Sequence, residues 1–210
     1  MRALACILLL AFSASLSGCA NLVHSDEPLF TRADARGAPV FRRGLWLGED
    51  PDCGVDEALP RDEWPGCAED WEMTGAGLGS IFDEDKEMSL LLARGDPNIV
   101  QVQPPKGEAG PYAYWALAPT RTDGRGRVTA FSAWPVLCGP PAAGEGPASP
   151  AEARAGASSN TLTPQPLPGL EVRGRNCFAA RASVVREAAR LSRAWTPFPM
   201  SAHWVRDGAR

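Results

Sequence analysis

Histidines, cysteines and clustered carboxylates are the side chains here that can do chemistry, and their spacing limits what that chemistry is. The two histidines are His24 and His203. Nucleophilic catalysis needs a nucleophile and a base oriented towards it. These two lie near opposite ends of the sequence, where neither is well placed to serve a triad built in a core. The chain has no Gly-x-Ser-x-Gly elbow and no Ser-x-x-Lys pair. Cys53, Cys67, Cys138 and Cys177 show no Cys-x-x-Cys spacing and have no histidine nearby, which argues against zinc. The dense carboxylates are Asp62-Glu63 and Asp83-Glu84-Asp85 with Glu87. Glycoside hydrolysis needs two carboxyl groups facing each other across a cleft, whereas adjacent acids in a polar loop read as a solvated face. The second cluster lacks the glycine and the distal glutamate of a calcium loop. No metal, cofactor or catalytic residue is expected.

The elements that would carry a site begin with β signals. Met88–Ala93 is a short apolar run, and Asn98–Gln103 ends in polar–apolar alternation. Tyr112–Leu117 is rich in aromatics, and Arg127–Trp134 places Val128, Ala130 and Ser132 on one face. Asp123-Gly124 and Arg125-Gly126 supply a turn between these last two segments, which predicts a hairpin. Alternation sends Tyr112 and Tyr114 to one side and Trp115 to the other. These three form the candidate platform for a glycan or peptide, with core packing as the default role. Ala38–Leu47 is strand-like, through Pro39-Val40-Phe41 and then Gly44-Leu45-Trp46-Leu47. Trp46, Trp64 and Trp71 are expected around the end of the core near Cys53 and Cys67. Residues 74–80 are glycine-dense but lack the third glycine of a dinucleotide fingerprint. Cys177–Trp195 is predicted as the helix, with Asn176 as its cap and Val184, Ala188, Leu191 and Trp195 as its buried stripe. Ala142–Asn160, rich in Ala, Gly, Ser and Pro, reads as a mobile loop. Residues 198–210 read as a tail that frays after Trp204.

The first residues say where these elements live. Arg2 precedes a short apolar run with Leu4, Ile7, Leu8, Leu9, Leu10 and Phe12 at its centre. The run is shorter than the roughly 20 apolar residues of a membrane span and has the order of a secretory signal. It ends in Leu16-Ser17-Gly18-Cys19, which resembles the lipobox of bacterial lipoproteins. The resemblance covers this segment alone. It implies a signal peptide over residues 1–18, cleavage before Cys19, and acylation of the Cys19 thiol and of its new amine. Ala20, where an aspartate in many such lipoproteins favours inner-membrane retention, implies the outer membrane and a periplasm-facing domain.

If Cys6 leaves with the signal and Cys19 carries lipid, four cysteines remain, an even number suited to an oxidising compartment. Of three pairings, Cys53–Cys67 and Cys138–Cys177 are favoured, because each closes a local loop and neither crosses the other. The organisation expected is a lipidated tether over 19–35, followed by one disulfide-stapled α+β domain over 36–205. In that domain a small antiparallel sheet of three or four strands packs on one C-terminal helix. The net charge of −4, with no basic run, makes nucleic acid a poor partner. The expected role is a non-enzymatic binding or structural component of the cell envelope, with an envelope protein or a glycan as partner. The alternative is a carboxylate-dependent cell-wall hydrolase using Glu63 and Glu84.

Overall fold

The computed structural model describes residues 21–73, 90–104, 109–141 and 165–208. Its strands are β1 (Val23–Ser25), β2 (Gly44–Gly48), β3 (Asp70–Met73), β4 (Leu90–Ala93), β5 (Asn98–Val102), β6 (Tyr112–Thr122), β7 (Val128–Pro135), β8 (Leu170–Arg173), β9 (Asn176–Ala179) and β10 (Met200–Arg206). One α-helix, α1 (Ala182–Trp195), and a 3-10 turn at Arg61–Glu63 complete the described elements. The strands run in the order β3-β2-β10-β7-β6-β1-β9-β8, with β5 joined to β6 and β4 to β5. The pair β1–β9 is parallel and the others are antiparallel. An α+β fold with one helix is therefore present, but its sheet is mixed and ten-stranded rather than small and antiparallel.

Two segments account for much of the added size. Residues expected to form a tether contain β1, which lies between β6 and β9 with Val23 and Ser25 buried. Phe30, further along the same stretch, is 2% exposed. The expected fraying tail contains β10, which sits between β2 and β7. Both strands are fixed by partners far away in sequence, so local composition describes them poorly. The β6–β7 hairpin forms as the turn residues predict. Asp123 accepts the Arg125 and Arg127 amides on Oδ1, both at 2.9 Å, and Gly126 supplies φ +75°.

The helix begins later than its apolar spacing suggests. Cys177, Phe178 and Ala179 belong to β9, and Arg181 occupies the N-cap without a side-chain cap bond, so Asn176 does not cap it. The buried stripe is Val185, Ala188, Ala189 and Ser192, one residue round from the expected face apart from Ala188. The bridge Cys138–Cys177 and the parallel pairing with β1 hold the first residues of the expected helix extended. The two disulfides are the expected ones, Cys53–Cys67 and Cys138–Cys177, with Cα–Cα separations of 5.8 and 5.6 Å.

Alternation along the strands divides the core in two. Ile99, Tyr114, Ala116, Trp134 and Val136 join α1 residues Val185, Ala188 and Ala189 in one cluster. Val100, Leu117, Phe131 and Ala133 join Trp46, Trp71 and Ala202 in the other. Val128 packs with the second cluster beside Phe131, not on a shared face with Ser132 as its spacing suggested. A register shift between β6 and β7 at Pro119–Thr122 breaks the simple two-residue period there. The segments 74–80 and 142–160 and the Asp83–Glu87 cluster lie outside the described residues.

Candidate functional sites

The aromatic platform is split by the sheet, and its central member is core. Tyr114 is 1% exposed and meets Phe30 edge-on at 5.9 Å. Its hydroxyl lies 2.5 Å from Ser25 Oγ. Ser25 uses its single hydroxyl proton on the Glu27 carbonyl, so Tyr114 is the donor. Burial pushes the Tyr114 hydroxyl above its usual titration range, and the Ser25 bond opposes that shift. Tyr112 packs partly buried on the same cluster, while Trp115 packs on the opposite one. The three side chains thus form no continuous exposed surface, because a pleated strand sends neighbours to opposite faces.

A groove of about 300 Å³ opens beside β1, β8 and β9, lined among others by Asp26, Glu27, Glu171, Arg173 and Phe178. Arg173 bridges it, donating from Nη1 to Asp26 Oδ2 at 2.7 Å and from Nη2 to Glu171 Oε2 at 2.8 Å. Its guanidinium lies 4.5 Å from the Phe178 ring centroid. Arg173 holds the Glu171 carboxyl below its ordinary range, and the two carboxylates keep the guanidinium protonated. These groups leave a modest acidic surplus on an aromatic floor. That suits a cationic contact. His24 stacks on Phe178 at 5.8 Å. Burial lowers the His24 pKa, which a bond to the Tyr112 backbone partly offsets.

The second charged constellation sits under the Cys53–Cys67 loop, and sequence spacing missed it. His203 lies on β10, with Nε2 2.9 Å from Glu57 Oε1 and Nδ1 3.4 Å from Glu49 Oε1. Arg206 Nη1 donates to the Glu57 carbonyl at 2.8 Å, and its guanidinium stacks over Trp64 at 5.4 Å. A bulge between Trp204 and Arg206 turns Arg206 away from the strict alternation, so that it meets the loop. The period-two spacing of Met200, Ala202 and Trp204, all packed on the second cluster, was the signal for this strand. Only Nε2 is hydrogen-bonded, to Glu57; Nδ1 has Glu49 nearby but no hydrogen-bond partner. The group reads chemically as a clamp that docks the disulfide loop on the sheet.

The remaining candidates are dispersed. Asp62 and Glu63 are exposed on the 3-10 turn, and Glu84 lies outside the described residues. Among the described residues no three His, Cys, Asp or Glu side chains gather as a metal site. None of the described helices is long and apolar enough to cross a membrane. Cys19 precedes the described residues, which begin at Asn21. There the amide donates to the Arg175 carbonyl at 2.8 Å, and the carbonyl accepts from the Cys138 amide at 2.8 Å. Compared with known families, curated proteins and solved structures, the chain matches none.

Proposed function

We propose that this chain is a bacterial lipoprotein, acylated at Cys19 and held on the periplasmic face of the outer membrane, where its domain serves as a non-catalytic binding or structural module. The observation that carries the reading is the cysteine pairing. Both bridges draw on Cys53, Cys67, Cys138 and Cys177, each closing a local loop. That pairing suits an oxidising compartment and leaves Cys19, in its Leu-Ser-Gly-Cys setting, available for lipid. Several acyl chains on one residue anchor stably where a single chain binds only marginally.

The non-catalytic part rests on how the reactive groups are used. His203 lies between two carboxylates, Tyr114 is built into the core, and Arg173 is paired with Asp26 and Glu171 of the groove. An envelope protein or glycan with a cationic group is the partner chemistry the groove suits. Cell fractionation tests the anchor. Wild-type chain should stay with the membranes through a high-salt wash and leave with detergent, whereas Cys19→Ala should move to the soluble fraction. Equal partitioning of the two would overturn the reading.

A further inference from the structure

We infer that the domain does not hang on a flexible leash but rests directly on the headgroup layer of the bilayer, through the β8–β9 turn. This rests on the proposed acylation of Cys19 and adds where the domain sits. The fold takes hold of the chain two residues after that cysteine. The Asn21 backbone is tied on both sides, to Arg175 and to Cys138. Its side chain is 2% exposed, and its backbone holds φ +73°, a left-handed setting that asparagine tolerates better than most residues. Leu22 bridges to Leu137, and its carbonyl accepts the Cys177 amide at 3.0 Å. The bridge between Cys138 and Cys177 then staples the two segments that flank this point. Asn21 and Leu22 are therefore not free to pay out as linker.

Covalent reach does the rest. Two extended residues span at most about 7 Å, so the Asn21 backbone lies within about 7 Å of a lipidated Cys19. The headgroup region on each side of a bilayer is about as thick, roughly 5–8 Å. With acyl chains in the hydrocarbon, the residues bonded to Asn21 must lie at the headgroups. A sixteen-residue flexible tether, as the composition of residues 20–35 suggested, would instead have let the domain stand off by roughly 20 Å. Gly174 and Arg175, both exposed at the β8–β9 turn, lie beside the attachment point.

The test uses full-length, lipidated protein with Arg175→Cys carrying a fluorophore, reconstituted in vesicles whose headgroups bear a quencher. A second version carries a flexible Gly/Ser insert of about sixteen residues between Ala20 and Asn21. Strong quenching at position 175 in the first, and its loss in the second, is the expected result. Equal quenching in both, or none in the first, overturns the inference. Mass analysis of the same samples separates the two levels. An acylated chain with an unquenched label refutes the flush placement alone, and a chain without acyl groups refutes the anchor as well. An unlabelled-position control on the native chain, limited proteolysis before and after reconstitution, should show cleavage at the β8–β9 turn suppressed by the vesicle.

Discussion

The two clusters of this sheet each bury three aromatic side chains, but the helix-backed one adds five buried alanines and the other two. The helix-backed cluster is crowded with small residues: Ala93, Ala116, Ala188 and Ala189 have no exposed surface and Ala179 has 5%. Such residues let α1 approach the sheet closely, and polar ties then fix its position. Trp134 Nε1 donates to the Ala189 carbonyl at 2.9 Å, and Ser192 Oγ accepts the Leu137 amide at 2.8 Å while donating to the Ala188 carbonyl. The other cluster is filled by rings. Trp46 and Phe131 lie 5.6 Å apart, with Phe41 and Trp71 against them. The first region relies more on close backbone approach, the second on rings packed against one another. They should therefore fail under opposite substitutions.

The largest expected effect is in the aromatic region. Phe131→Ala removes a ring that is 1% exposed and contacts three others, and should cost about 3–5 kcal/mol in denaturant unfolding. A loss below about 1 kcal/mol would mean that this region collapses freely around the gap. Next come the bridges, one near each region. Replacing Cys138 and Cys177 by serine opens a separation of 39 residues, and replacing Cys53 and Cys67 opens one of 14. In the chain-entropy model these cost about 4 and about 3 kcal/mol. The first pair should lose more still, because both its sulfurs are buried among the strands that receive Asn21 and Leu22. If the order is reversed, the Cys53–Cys67 loop carries more of the fold than its position suggests.

In the helix-backed region the damaging change is an enlargement. Ala189→Leu should destabilise by about 1–3 kcal/mol through overpacking against the sheet, whereas Ala189→Gly should act mainly through helix propensity, about 1 kcal/mol. Thermal melts of both variants would check the sign of the comparison. The smallest effect concerns pH at the margin of this region. His24 is held neutral by burial, so the unfolded chain binds its proton more readily than the fold does. Its contribution is complete above the ordinary histidine range and is lost as pH falls through about 6.5 towards the lowered folded value. Unfolding measured between pH 8 and 5 should steepen in this window for wild type and flatten for His24→Gln. Identical slopes would place the proton uptake elsewhere.

What could be read from the residues follows the range of the forces involved. The hairpin turn is local: Asp123 caps its own loop and Gly126 takes the left-handed position, so four residues suffice to specify it. The disulfides were legible because short loops and an even count leave few sensible pairings. The helix was legible in its later turns but not at its start, where a bridge and a parallel partner compete with helical spacing. β1 and β10 are the opposite case. Val23-His24-Ser25 has no alternation long enough to notice and becomes a strand only because β6 and β9 present open edges to it. The alternation of Met200, Ala202 and Trp204 was on the page, yet its place near the end of the chain favoured a frayed tail. His203 followed β10 out of view, so the clamp with Glu49 and Glu57 could not be anticipated from spacing.

The contrast bears on the anchor, because the chain joins the fold on the helix-backed side. Val23 packs in the small-residue cluster, and the bridge Cys138–Cys177 secures the strands around it. The most direct measurement of the whole account is the intact mass of protein extracted from membranes, taken after thiol alkylation without reduction. The expected result is a chain beginning at Cys19, heavier by its acyl groups, with no alkylated cysteine, and fragmentation placing bridges between Cys53 and Cys67 and between Cys138 and Cys177. A chain that starts elsewhere, lacks acyl mass, or carries alkylated thiols at these four positions would contradict it.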